Sequence, residues 1–180
     1  MKTVEVELTG VTPLLMNSPK SMLEPNKGTK LKTKKYDQEE DAEKGAYRTD
    51  SGELYVPAEA IKACIVGAAA YRKFGKYAAR PIVAGGVYIT PRQIELGTKD
   101  YDIDLRTVVI QRSRVVKARP RLDEWKIKFT LKYNENLIAD DSLLRPIFED
   151  AGQRVGLLDF RPQKLGEFGQ FEVTKWQPKD

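Results

Sequence analysis

Histidine is absent from the 180 residues, and cysteine occurs once. Without imidazole, Ser-His-Asp and Cys-His triads, histidine acid–base chemistry and imidazole metal sites are all excluded within the chain. The lone thiol, Cys64, makes neither an internal disulfide nor a CxxC zinc knuckle, so a cytoplasmic location is expected. Its place on an apolar helical stripe points to core packing. Long apolar runs are missing as well. No stretch nears the ~20 residues of a membrane span, and MKTVEVELTG alternates charge with apolar side chains where a signal peptide would be apolar. No membrane partner is expected.

What the chain does hold is charge, unevenly placed. There are 31 Lys and Arg against 26 Asp and Glu, a net charge of only +5. Residues 20–35 contain six lysines and one glutamate, whereas 37–43 contain five acids. Residues 106–121 carry six cations, and 105–122 contain no acid at all.

The length suits one domain, 1–180, burying about 70 % of its unfolded surface. Val4, Val6 and Leu8 alternate with Thr3, Glu5 and Glu7, which predicts an amphipathic strand ended by Gly10 and Pro13. Residues 17–46 have few large apolar side chains and two prolines, and read as a flexible insertion. Asp50-Ser51-Gly52 marks a turn before a short strand, Leu54–Val56, and Pro57 opens a helix running through Ile61, Ile65 and Ala68 toward Gly75. Residues 82–89 and 103–110 read as strands. Trp125, Ile127, Phe129, Leu131 and Tyr133 alternate with lysines and a threonine and predict the clearest strand. A second helix is expected from about Asp141 to Val155, then a glycine-rich loop and a last strand at FEVTKW. The order is that of an α+β, ferredoxin-like (RRM-like) βαβ-βαβ sheet, with a long insertion after strand 1.

Three features carry candidate chemistry. Residues 106–124 predict a protruding basic hairpin bearing Arg106, Arg112, Arg114, Lys117, Arg119 and Arg121. Strand geometry puts Arg112 and Arg114 on one face, and Lys117, Arg119 and Arg121 together on the return strand. Such a hairpin suits a phosphate backbone, while a solvated strand face is the ordinary alternative. The segment lacks aromatics, so stacking on bases falls to Tyr36, Tyr47 or Phe160. The loop GLLDFRPQKLGEFGQ has no GKS or GKT and is followed by a strand, so it is neither a P-loop nor a dinucleotide fingerprint. Its glycines are those of a helix-to-strand connection or of a backbone clamp using Arg161, Lys164 and Gly166. The acids at 37–43 can hold Mg²⁺ or act as a base, although a solvated or lysine-pairing loop is the plainer reading.

The first strand ending in LTG, the long insertion and then TDSGELYVPAEAIKACI together resemble the RAMP superfamily, the Cas-seven-like backbone subunits of CRISPR effector complexes. Gly52, Tyr55, Val56, Pro57, Ile61 and Lys62 match the family's turn and phosphate-contacting helix start, and Gly156–Phe171 resembles its glycine-rich loop. Ala58-Glu59 stands where the family has small polar residues. The resemblance implies a ferredoxin-like palm with a hairpin thumb, and copies stacking head-to-tail into a filament along single-stranded guide RNA, with its target strand as a further candidate. It adds Lys62 to the RNA-binding set and implies other effector subunits as partners, a ribonucleoprotein of antiviral defence, and no cofactor. Two alternatives stay open. One is an endoribonuclease of the same fold using Asp37 or Asp41, the only case calling for Mg²⁺. The other is a phage or mobile-element protein that coats single strands.

Overall fold

The computed structural model describes residues 1–23 and 35–179. Most of the lysine-rich half of the insertion therefore lies outside the described residues. The expected alternation of Val4, Val6 and Leu8 produces β1 (Lys2–Gly10), with all three side chains buried. A two-residue strand, β2 (Leu14–Leu15), and a 3-10 turn at Pro19–Met22 follow. The acidic half of the insertion forms α1 (Gln38–Gly45), where a loop was expected. Asp37 caps it by accepting from the Glu39 and Glu40 amides, Glu39, Glu40 and Asp41 complement the dipole, and Ala42 and Ala46 are buried.

Next come β3 (Tyr55–Pro57) and α2 (Ala58–Ala68). The helix buries Ile61, Cys64, Ile65 and Ala68 and ends in a 3-10 turn at Tyr71, before Gly75. Gly75 instead serves the turn between β4 (Lys73–Phe74) and β5 (Tyr77–Ala78), with φ of 58°. Residues 82–89, expected as one strand, split into α3 (Ala79–Gly86) and β6 (Val87–Thr90). Pro81 sits in the first turn of α3, where no amide is needed, and Ala79, Val83 and Gly86 form its buried stripe. Two glycines and β-branched residues hide this helix from propensity, and tertiary packing decides it.

The remaining strands are β7 (Gln93–Glu95), β8 (Asp102–Ile110), β9 (Ser113–Leu122) and β10 (Lys126–Tyr133). The second long helix is broken. Asp140, not Asp141, caps a 3-10 turn, α4 (Arg145–Asp150) begins with Pro146 in its first turn, and a π turn continues it over Ala151–Val155. The last strand, β11 (Phe171–Lys179), follows the glycine-rich connection.

The main sheet runs β11-β1-β10-β6, antiparallel throughout. Taking β1, β6, β10 and β11 as the four strands of a ferredoxin-like unit, the order is last, first, third, second, the expected α+β architecture. One face of the sheet, with Val4, Val6, Leu8, Ile127, Phe129 and Leu131, packs under α2 and α4. Each fully buried side chain of this size is worth about 1.5–3 kcal/mol. The opposite face is charged and internally paired: Glu7 meets Lys126 at 3.4 Å and Lys128 at 3.2 Å, and Glu5 meets Lys175 at 3.3 Å. At Gly152 an added Cβ would lie 2.0 Å from the Phe171 carbonyl oxygen, so only glycine lets the π turn rest on β11. A second sheet, β2-β9-β8, holds the basic hairpin apart from this core.

Candidate nucleic-acid interface

The basic segment folds as the antiparallel hairpin β8–β9, with Ile110 opposite Ser113 and a two-residue connection, Gln111-Arg112. Both connecting residues are left-handed, at φ of 47° and 67°. That matches the twist of a tight hairpin but costs about 1 kcal/mol for each residue bearing a Cβ. Arg112 is therefore in the turn itself. Register places Asp104, Arg106, Arg119 and Lys117 on one face, and Leu105, Thr107, Val109, Val116 and Arg114 on the other. Arg114 thus faces away from Lys117 and Arg119.

The cations divide by depth. At the base, Arg119 is 7 % exposed and is paired with Asp159, while its Nε finds no partner among the described residues. Lys117 donates to Asp41 at 2.7 Å, and Arg121 donates to Asp123 at 2.7 Å. Arg106 donates to Asp104 at 2.7 Å, and its guanidinium lies 5.0 and 5.5 Å from the rings of Phe168 and Phe160. At the tip, Arg112 and Arg114 are exposed and have no acidic partner among the described residues. Val109, Ile110 and Val116 are exposed beside them, and Leu105 is exposed further down the same hairpin.

Asp41 holds this base together. Its carboxylate accepts from Lys117, from the Ala118 amide at 2.9 Å and from the Tyr36 hydroxyl at 2.9 Å. The amide bond covers part of the β9 edge beyond the end of β2, where a sheet neighbour would otherwise pair. Burial pushes the Asp41 carboxyl up, but these three donors and the Lys117 charge outweigh it, so it titrates below the ordinary aspartate value of 3.8. The Tyr36 hydroxyl, desolvated and facing that carboxylate, is pushed up to about 12. Asp37 is the α1 cap. Both acids considered for RNA cleavage are thus held in structural bonds. Among the described residues no group of three metal-ligating side chains comes together.

The other predicted contacts have different placements. Lys62 is no surface cation: its Nζ donates to the Val83 carbonyl at 3.0 Å and to that of Val87, tying α2 to α3 and β6. Burial lowers its pKa, and its ammonium lies 5.6 Å from the Tyr88 ring. Arg161 turns into its own loop, donating to the Leu158 carbonyl at 2.7 Å and to Gln163 at 3.2 Å. Lys164 is exposed. Gly166 allows close packing, since an added Cβ would lie 1.8 Å from the Phe160 carbonyl oxygen. Of the three aromatics considered for stacking, Tyr36 is engaged with Asp41, Tyr47 packs edge-on against Tyr55 at 5.6 Å, and Phe160 is 36 % exposed under Arg106. Phe160 and Arg106 line an open groove of about 630 Å³ along β8. The structure therefore brings Arg106, Arg119 and Phe160 together and sets Arg112 and Arg114 at the tip. Lys62 lies elsewhere, half-buried between α2, α3 and β6. Cys64 is a buried core residue whose thiol is pushed up to about 12 by desolvation.

One cationic run escapes a reading by local density. Residues 60–94 contain six Lys and Arg and no acid, a longer acid-free stretch than the hairpin. Counting acids as well as cations exposes it.

No family model and no curated protein matches this chain. Among solved structures it matches a chain of the cryo-EM structure of the Type III-B Cmr-beta complex bound to cognate target RNA, with a TM-score of 0.61 at 16 % identity. The likeness is one of fold, an α+β architecture shared with that chain. The match covers 98 % of this chain and 60 % of that one, so this chain spans less than two thirds of its neighbour's length. Among the described residues no helix is long and apolar enough to cross a membrane.

Proposed function

We propose that this protein is an RNA-binding backbone subunit of a CRISPR-type ribonucleoprotein, holding single-stranded guide RNA through the tip of the β8–β9 hairpin and stacking head-to-tail with further copies. The observation that carries this is the pair Arg112 and Arg114: exposed, without acidic partners among the described residues, and held on a hairpin that projects from the core sheet. Two unneutralised cations at the end of an exposed hairpin suit a polyanion better than a packed interface does. Arg106 over Phe160 extends the surface toward the groove, where a planar base can stack. The RAMP-like fold, found in a chain of a complex that binds target RNA, supports the same reading. Asp37 and Asp41 are committed to capping and to bracing the hairpin, which favours binding over cleavage by either.

Expression in bacteria followed by nucleic-acid extraction tests this. The wild-type protein retains RNA and gives regular rods in electron micrographs, while Arg112→Glu/Arg114→Glu loses both and keeps the wild-type circular dichroism spectrum. Arg106 and Arg119 are left intact, because their pairs with the buried Asp104 and with Asp159 belong to the fold. RNA retained by the double variant at low salt would show that the hairpin tip is not the contact surface.

A further inference from the structure

The acid-free run of residues 60–94 has a compact exposed part. Tyr71 ends the helical segment after α2, and β4 and β5 fold back as a hairpin closed by the Ala79 amide donating to the Arg72 carbonyl at 3.1 Å. Within it Lys73, Lys76 and Arg80 are exposed, and none has an acidic partner among the described residues. Arg72 and Arg154 are different: both reach Asp150, at 2.6 and 3.9 Å, and share its single negative charge. Two tyrosine rings stand among these charges, Tyr71 at 64 % and Tyr77 at 62 % exposure. Each has a cation beside it, with the Arg154 guanidinium 5.3 Å from the Tyr71 ring and the Lys76 ammonium 5.4 Å from that of Tyr77.

The ring faces of exposed tyrosines gain little from solvent, and unpaired cations in an acid-free run repel one another. A ligand with alternating phosphates and planar rings satisfies both. We infer that the β4–β5 hairpin, with Tyr71 and Arg80, is a second contact surface for single-stranded RNA, in which Lys73, Lys76 and Arg80 take phosphates and Tyr77 stacks on a base. This rests on the reading of the chain as an RNA-binding protein. An acidic protein segment would match the charge but leave the tyrosine faces without a stacking partner.

The test measures affinity for oligouridine against salt concentration in the full-length protein. Lys73→Gln/Lys76→Gln/Arg80→Gln lowers the slope of log K on log salt by about 2, for three phosphate contacts on a single strand. Tyr77→Leu leaves the slope alone and weakens binding about tenfold. Both changes are required, and either alone overturns the inference, as does displacement of the RNA by polyglutamate at equal charge. If the triple variant has the wild-type slope while Arg112→Gln/Arg114→Gln lowers it, the second surface is refuted and the proposed function stands. If the wild-type protein does not bind oligouridine, the proposed function falls and takes this surface with it.

Discussion

The base and the tip of the β8–β9 hairpin come from one acid-free stretch of sequence and have opposite surroundings. At the base, Lys117, Arg119 and Arg121 are each matched by a carboxylate, from Asp41, Asp159 and Asp123. At the tip, Arg112 and Arg114 are matched by none among the described residues. Two of the base partners come from elsewhere in the chain: Asp41 is 76 positions from Lys117 and Asp159 is 40 from Arg119. A cluster of cations in sequence is therefore a cluster of available cations only after folding has assigned its acids. The difference in depth turns one charge run into a half paired within the fold and a half left exposed.

The largest effect expected from this contrast is at the base. Asp159→Ala leaves the Arg119 guanidinium, 7 % exposed, without its counter-charge. Breaking such a pair costs about 3 kcal/mol, reduced somewhat because Asp159 is partly solvated. Thermal unfolding should show a drop in Tm of several degrees. By contrast, Arg112→Gln/Arg114→Gln, at exposed positions, should stay within about 0.5 kcal/mol of wild type. Equal destabilisation by the two variants would erase the distinction between base and tip.

Asp41 gives a smaller, pH-dependent effect. Its folded pKa lies below 3.8, so its carboxylate adds stability that is present above the unfolded value and is lost as pH falls through the folded one. Asp41→Asn should therefore be less stable than wild type at neutral pH, and the gap should narrow as pH falls below 3.8 and close only beneath the lower folded pKa, where both carry a neutral side chain. Urea midpoints across that range read it directly. A gap that is constant with pH would mean that the carboxylate charge does not brace the hairpin.

The sheet was legible because period-two burial is strict in β1 and β10, where every second residue is apolar. The hairpin was legible from its strand propensity and charge. What escaped was decided by distant contacts. Residues 79–86 carry strand-forming residues and two glycines, yet become α3 because Ala79, Val83 and Gly86 fit against the neighbouring structure. Lys62 matched a surface-contact pattern and is half-buried against the carbonyls of Val83 and Val87. The acids of 37–43 read as a solvated loop because their ordering comes from β9, a strand some seventy residues later in the chain. In each case local composition described the residue correctly, and its partner was out of sequence range.

The central claim, that the tip binds RNA and the base supports it, is tested most directly by the salt dependence of oligouridine affinity in Arg112→Gln/Arg114→Gln. Two lost phosphate contacts predict a slope lower in magnitude by about 1.4, with thermal stability unchanged. A slope identical to wild type would contradict the account.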